Sequence, residues 1–390
     1  MNRNKLTAFI ACVCLLSGCQ SSSHLVEFKS AHDAQQLSNG EKRLWSQSDD
    51  AVRTIARSGK LLKDNEATAH INSMAHQMYP EFKDEIEIEI VKTPILNAFA
   101  FPNGRLFIHS GIIAAAQNDS QLAAVVAHEV AHFTKRHSAK NRISAANATS
   151  FIVFMNVMGI PLLGEIIGVS SIAGFSRDLE READMEAIVR MKKYGYDITD
   201  AKKIFEFMAS DALANDYESP WFFASHPDLI ERIESFDNYV MKQGDTAEVN
   251  PDYQNSESYR QIFKDVRKVA MEEKLEIGHF SSLINEYENF YLKSIYNQNS
   301  DELFYFANAY RLRDRKGDHE KALTIFDDYI QNHKDNPDAY MHAGVVCMDL
   351  GNFDCARERL LKAKEISQGS NGYINMYMKK LESMELKNES

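Results

Sequence analysis

The sequence predicts an α-rich α+β fold, in which a mainly helical domain with a small β-sheet precedes an all-α repeat domain. Three observations predict it. Glutamate and isoleucine alternate strictly from Glu85 to Ile90, which is typical of a half-buried strand. The stretch from Asp119 to Arg142 carries the apolar residues of a buried helix. Near the end of the chain, the segment at Gly317 recurs at Gly351, and a 34-residue period is typical of stacked helix pairs.

Length and composition are those of an ordinary globular protein. The chain has 390 residues, of which 44% are apolar and 26% charged, enough for two or more domains with an ample core. The formal net charge of −12 argues against a nucleic-acid-binding protein.

The first residues predict export. Residues 1–18 have a positive start and a short apolar core, which is too short to span a bilayer. Their last residues resemble the bacterial lipobox, and this implies that Cys19 is lipidated; a plain secretory signal is the alternative. Gln20, where aspartate would retain the protein at the inner membrane, implies transport to the outer membrane.

Two helices and a hairpin are expected before the long helix. The segment from Gly40 to Pro80 has the apolar spacing of two helices. Asn97–Phe101 and Arg105–His109 flank a Pro-Asn-Gly turn and predict a hairpin. An edge strand there can bind an extended peptide through main-chain hydrogen bonds, although a purely structural hairpin remains the alternative.

The long helix carries the pattern HExxH. His128 and His132 lie about 40° apart on one face, so both imidazoles can bind one Zn²⁺, with Glu129 beside them as a candidate base. Asp119 or Ser120 is expected to cap the helix. Alone, the pattern also fits two core histidines and an unrelated glutamate.

The expected third ligand comes from a later helix. A metzincin would have glycine at position 135 and histidine at 138, but the chain has Lys135 and Ser138. His137 lies about 180° round a continuous helix from His128, which predicts that it points away from the metal and has a structural role.

The segment from Ser176 to Asp184 supplies the carboxylates. Glu180 and Asp184 share one helix face, whereas Glu182 lies about 200° from Glu180. This favours Glu180 as the third metal ligand and Asp184 as the acceptor for the outer N–H of a ligand histidine. An exposed charged helix is the alternative.

The motifs together resemble a family. HEVAHFTKRH from His128, NAFAFPNGRLFIHSG from Asn97, SRDLEREAD from Ser176 and SHPDLIERI from Ser225 resemble the HtpX, CAAX-prenyl-protease and Oma-type zinc metallopeptidases. The resemblance covers roughly residues 40–240 and is strongest to the periplasmic BepA-like and LoiP-like members. It implies a zincin-type, gluzincin-like domain.

The resemblance also implies roles for individual residues. Asn97 and Ala98 are expected on the strand that holds substrate beside the zinc. His226, followed by a proline, and Arg232 are expected near the metal. His226 either occupies the zinc's open position and restrains activity, or donates with Arg232 to the developing oxyanion. A surface loop histidine, with Arg232 in a salt bridge, is the alternative. The nearly uncharged stretch Ser150–Phe175 is expected to cover the cleft rather than to span a membrane.

The repeats at Gly317 and Gly351 predict a C-terminal TPR domain. Gly278 marks a third, degenerate repeat, and three are usually needed. TPR grooves usually bind partners, but these helices can instead only brace the protease. A disulfide between Cys347 and Cys355 is possible in an oxidising compartment.

The predicted domains are a signal peptide over residues 1–18, a tether over 19–40, a zinc metallopeptidase over 41–243 and a TPR-like domain over 257–390. The predicted function is that of a lipid-anchored periplasmic zinc endopeptidase, with one Zn²⁺ per chain. The resemblance implies that it degrades misfolded or stalled outer-membrane proteins, with the TPR domain recruiting clients or an assembly machine. The alternatives are a chaperone or adaptor with minor or latched peptidase activity, and a zinc store, for which Glu129 would have no purpose.

Overall fold

The computed structural model describes residues 26–30, 33, 36–144, 175–214, 229–243, 248–292 and 301–388. Within them the chain is mainly helical with one small sheet, which confirms the predicted α-rich fold. The elements of the first part are α1 (Asn39–Arg57), α2 (Asn65–Met78), β1 (Glu87–Val91), β2 (Ala98–Ala100), β3 (Arg105–His109), α3 (Ser110–Ala115), α4 (Asp119–Thr134), α5 (His137–Ser144), α6 (Arg177–Lys193), α7 (Ile198–Ala201), α8 (Lys203–Ala214) and α9 (Leu229–Gln243).

The sheet has three strands in the order β1-β3-β2, which places β2 at an edge. β1 runs parallel to β3, and β2 runs antiparallel to it. The turn between β2 and β3 contains Gly104 at φ +84°, where a Cβ would lie 2.4 Å from the Glu85 carbonyl oxygen, so only glycine fits. The predicted strand and hairpin are confirmed.

Helix α4 lies at the centre of the first domain. Every residue from Ser120 to Thr134 is buried, with α2, β2 and α6 packed around the helix. The Tyr79 hydroxyl, which is itself buried, donates to the Ala127 carbonyl and fixes α2 against it. A helix held from all sides is a rigid support for the side chains it carries.

The residue that caps the start of α4 differs from the prediction. Asn118, not Asp119 or Ser120, caps the helix, because its extended backbone lets its side chain accept from the Gln121 N–H. Asp119 lies inside the helix, with its carboxylate 2.8 Å from His70 Nε2.

The prediction of one continuous helix from Asp119 to Arg142 was wrong. The helix ends at Thr134, Arg136 adopts a left-handed φ of +60°, and α5 begins at His137. The irregular segment that contains Val26 and Phe28, together with Glu41 of α1, stabilises this turn. Arg136 donates to the Val26 carbonyl, forms an ion pair with Glu41 and lies over the Phe28 ring.

In the second part of the chain, the described residues from 248 onward form helices without a strand. Their elements are α10 (Ser256–Ile262), α11 (Lys264–Glu276), α12 (Phe280–Glu286), α13 (Glu302–Arg313), α14 (Asp318–Asn332), α15 (Pro337–Asp349), α16 (Phe353–Ile366) and α17 (Gly372–Asn388). Three helix pairs, α11–α12, α13–α14 and α15–α16, each turn at a glycine with left-handed φ, at Gly278, Gly317 and Gly351. The recurring turn agrees with the repeat pattern of the sequence. Within the last pair, Cys347 and Cys355 form a disulfide with a Cα–Cα distance of 5.8 Å.

The two parts share a core. Tyr259 and Phe263, at the start of the second part, pack in the same hydrophobic cluster as α4. Buried Arg267 donates to the Ala114 and Ala116 carbonyls at the end of α3, and pairs with Glu302 of α13. The repeat helices are therefore connected through α3 to the element that leads into α4.

No helix among the described ranges is long and apolar enough to cross a bilayer. The apolar stretch Ser150–Phe175 lies outside the described residues except for Phe175, and Cys19 lies outside them too.

Candidate metal centre

Three side chains with metal-ligand atoms converge where α4 meets α6. His128 and His132 lie one turn apart on α4, and Glu180 comes from α6. All three are buried, and their ligand atoms lie within 4.8 Å of one another. The structure therefore brings together the three residues that the sequence predicts as metal ligands.

The cluster fits a metal ion. Glu180 carboxylate oxygens lie 3.4 Å from His128 Nε2 and 3.5 Å from His132 Nε2, and the two histidine nitrogens lie 2.8 Å apart. Tetrahedral ligands at about 2.0–2.1 Å from a cation are separated by about 3.3 Å. The nitrogen–oxygen separations match this value, and the histidine pair is somewhat closer. Two imidazoles and one carboxylate therefore form a donor set for a divalent cation.

Asp184 lies on the outer side of His128, and Arg232 contacts both carboxylates of α6 and also His128, with its Nη2 3.1 Å from His128 Nε2. Asp184 Oδ1 lies 2.9 Å from His128 Nδ1, the position predicted for an acceptor of the outer N–H. Arg232, on α9, forms an ion pair with Glu180, and its Nε lies 2.9 Å from Asp184 Oδ1. Its guanidinium also lies over the ring of Phe205. Arg232 is therefore a buried cation that holds both carboxylates of α6 in place.

His137 contacts the outer side of His132, contrary to the prediction that it points away. Its Nδ1 lies 2.9 Å from His132 Nδ1, and its Nε2 lies 3.1 Å from a Glu182 oxygen. The prediction assumed an unbroken helix, but the left-handed turn at Arg136 redirects the chain and brings His137 back to the ligand. Burial lowers the pKa of His137 to about 4.

Glu129 lies beside the cluster and is almost completely buried. Burial raises the pKa of its carboxyl group to about 8, and the nearby charge of Glu180 also raises it. The Ala100 main-chain N–H donates to the Glu129 carboxylate and opposes that rise. A bound cation would lower this pKa, because a nearby positive charge favours the ionised form of the carboxyl group.

Strand β2 presents one side of its main chain to this site. The Asn97 carbonyl accepts from the His109 N–H of β3, and the Phe101 N–H donates to the Arg105 carbonyl of β3. The main-chain groups of the alternate residues Ala98 and Ala100 are therefore directed away from β3. The Ala100 N–H reaches Glu129, while the Ala98 N–H donates to the Asn97 side chain at 2.9 Å. The outward edge of β2 therefore runs past the candidate base.

Not every predicted site residue can be placed. Arg232 lies at the cluster, whereas His226 is outside the described residues. His137 and Glu182 belong to the site but were not predicted to contact it. The available signal was the lysine and arginine before His137, which could have indicated that the helix ends there.

A family model for peptidase family M48 matches residues 62–240, which contain the whole cluster. Residues 62–240 form a peptidase family M48 domain. This confirms the family indicated by the sequence motifs. The M48 domain carries the HExxH helix, the edge strand and the third carboxylate within one matched stretch.

Relatives of the M48 domain include proteases from fungi and bacteria. The chain is 32% identical over 185 residues to mitochondrial metalloendopeptidase OMA1 of Schizosaccharomyces pombe, covering 46% of this chain and 54% of that protein. It is 27% identical over 204 residues to a putative beta-barrel assembly-enhancing protease of Vibrio cholerae, covering 47% and 41%. With the beta-barrel assembly-enhancing protease of Escherichia coli it shares 28% over 163 residues, covering 37% and 33%. The chain thus spans about half or less of the length of these relatives.

Proposed function

We propose that the protein is a zinc-dependent endopeptidase that cleaves extended or unfolded polypeptide segments. The observation that carries the proposal is the position of Glu129, between the His128–His132–Glu180 cluster and the outward edge of β2. A peptide paired with that edge would pass both the candidate base and the cation. Digestion of an unfolded protein such as casein, with and without a chelator, tests the proposal.

Each residue of the site has its own role in peptide-bond hydrolysis. When bound, Zn²⁺ polarises the scissile carbonyl and makes water more acidic. Glu129 accepts the proton of the attacking water and passes it to the leaving amine. The outward carbonyls of Ala98 and Ala100 accept from main-chain N–H groups of the substrate and align it, while the Asn97 side chain braces the strand. Arg232, alone or together with His226, stabilises the negative charge that develops on the carbonyl oxygen.

The two possible roles of His226 predict opposite effects of the substitution His226→Ala. If His226 occupies the metal's open position at rest, His226→Ala should raise basal cleavage of an unfolded substrate. If it donates to the oxyanion, the same change should lower turnover about 10²–10³-fold. Kinetics on casein distinguish the two roles, and a rate within about twofold of wild type would discard both.

We further propose that lipid on Cys19 anchors the protein on the periplasmic side of a bacterial outer membrane. Cys19 lies seven residues before Val26, a reach of at most about 25 Å. Val26 and Phe28 are bonded to the turn that ends α4, since the Phe28 N–H donates to the Thr134 carbonyl. The anchor would therefore hold the metal site close to the membrane surface.

Replacing the lipid acceptor tests this location. Cys19→Ser should release the protein from the membrane fraction or leave its signal uncleaved, because serine cannot accept the thioether-linked lipid. Fractionation with metabolic palmitate labelling measures it. The double variant Cys347→Ser/Cys355→Ser is the control, since those two cysteines form a disulfide in the C-terminal helices and replacing both leaves no free thiol there. Palmitate labelling of Cys19→Ser at the wild-type level would rule out the anchor.

The C-terminal helix pairs are proposed to be a TPR domain that recruits clients or an assembly machine. They border a groove of about 590 Å³ whose lining includes Phe304, Tyr305 and Tyr329 beside Arg260 and Lys264. Two of the relatives are named for enhancing beta-barrel assembly, which supports misassembled outer-membrane proteins as clients.

The same groove favours the second candidate, a chaperone or adaptor with little peptidase activity. A protein of this kind would suppress aggregation of an unfolded client equally well with and without Glu129. An enzyme would instead clear the client only when Glu129 is present. Measuring aggregation and cleavage of one client in parallel separates the two functions.

A further inference from the structure

We propose that His137 and Glu182 form a hydrogen-bonded relay that fixes the tautomer and the orientation of the metal ligand His132. The inference rests on the proposed metal site, and assigns to both residues a positioning role. It starts from two contacts, His132 Nδ1 to His137 Nδ1 at 2.9 Å and His137 Nε2 to Glu182 Oε2 at 3.1 Å.

The tautomers follow from the contacts. His132 faces Glu180 and His128 through Nε2, so its lone pair must be on Nε2 to bind a cation. Its proton must then be on Nδ1, which donates to His137 Nδ1. His137 therefore accepts at Nδ1 and carries its own proton on Nε2, where the Glu182 carboxylate accepts it. Metal binding by His132 thus allows only one direction of hydrogen bonding along the relay.

Burial makes the relay necessary. The His137 side chain is 0% exposed, so water cannot replace either of its hydrogen bonds. Glu182 is partly exposed, and Lys140 lies 3.3 Å from the same carboxylate oxygen, which holds the carboxylate toward His137. The relay also connects α5, which carries His137 and Lys140, to α6, which carries Glu182 and Glu180.

The two ligand histidines are therefore held differently. His128 Nδ1 lies directly beside the Asp184 carboxylate, whereas His132 meets a carboxylate only through a second imidazole. Both arrangements fix the ring that binds the cation, and outer contacts of this kind typically contribute about 10–100-fold to metal affinity. The left-handed turn at Arg136 is what makes the second arrangement possible.

The test is the zinc affinity of full-length variants, measured by competition with a chromophoric chelator. His137→Phe keeps the ring volume but removes the acceptor, and should weaken zinc binding about 10–100-fold. His137→Asn places an amide oxygen where Nδ1 was, and should recover most of the affinity. Glu182→Leu should weaken binding by a smaller factor. Glu186→Leu is the matched control, because Glu186 lies one turn further along α6 and pairs with Lys135 and Arg190 instead.

Nitrogen-15 NMR of the zinc-loaded protein gives a second readout, in which His137 should carry its proton on Nε2. Wild-type affinity in His137→Phe, an Asn variant as weak as the Phe variant, or a proton on His137 Nδ1 would each overturn the relay. If His137→Phe does not fold, the Asn and Glu182→Leu variants with the NMR tautomer decide. Failure of the wild-type protein to bind zinc would instead overturn the proposed function, and the relay with it.

Discussion

Replacing Glu129 with glutamine is expected to leave zinc bound while proteolysis falls about 10²–10⁴-fold, the usual contribution of a general base. Glutamine has almost the same shape, and its carbonyl oxygen can still accept from the Ala100 N–H that holds Glu129. The metal ligands are not altered. Only the ability to accept a proton is lost, so kcat should fall while zinc content and thermal stability stay close to wild type.

Glu186→Gln is the matched control for this change. It removes the same charge from a glutamate whose ion pairs, with Lys135 and Arg190, lie outside the cluster. Both variants should be assayed on the same unfolded substrate, with zinc content measured on the same preparation. Wild-type turnover in zinc-loaded Glu129→Gln would disprove the role of Glu129 as base.

Removing the third ligand should have the other large effect. In Glu180→Ala, zinc affinity should fall by more than the about 10–100-fold attributed to outer contacts, and proteolysis should be lost with the metal. The change also takes one of two carboxylate partners from buried Arg232, so thermal stability should fall as well.

Glu180→Gln separates these two consequences. Its amide oxygen still accepts from Arg232 and can still reach the cation, but it lacks the negative charge. Its stability should therefore be near wild type, while its zinc affinity lies between those of wild type and Glu180→Ala. A Glu180→Ala protein that binds one zinc as tightly as wild type would show that Glu180 is not a ligand.

Much of this site was predictable because its signals are local. His128 and His132 are one turn apart, and Glu180 and Asp184 are one turn apart, so helical geometry alone places each pair on one face. The alternating strand and the glycine turn of the hairpin also depend only on neighbouring residues. The family motifs then joined these segments into one expected metal centre.

The unpredicted features all depend on partners far away in the chain. Helix α4 ends early because Val26, Phe28 and Glu41 stabilise a left-handed Arg136, and no pattern within the helix reveals them. The turn is what brings His137 to His132 and so gives Glu182 a role. If the helix is assumed to be continuous, His137 is predicted to point away from the metal.

The packing of the second part of the chain against the first could not be predicted from the sequence either. The predicted TPR-like domain begins at residue 257, but Tyr259 and Phe263 contribute to the core around α4. Arg267 reaches across to the end of α3, at a distance of more than a hundred residues along the chain. Hydrophobic periodicity identifies a helix's buried face, but not the element against which it packs.

The most direct measurement of the central claim combines zinc content with proteolysis of casein by the purified wild-type protein. We expect about one zinc per chain, loss of cleavage when a chelator removes it, and recovery when one equivalent of zinc is restored. The Glu129→Gln protein should bind the same amount of zinc and remain inactive throughout. Cleavage that persists in the metal-free protein, or full zinc loading with no cleavage of any unfolded substrate, would contradict the proposed zinc endopeptidase.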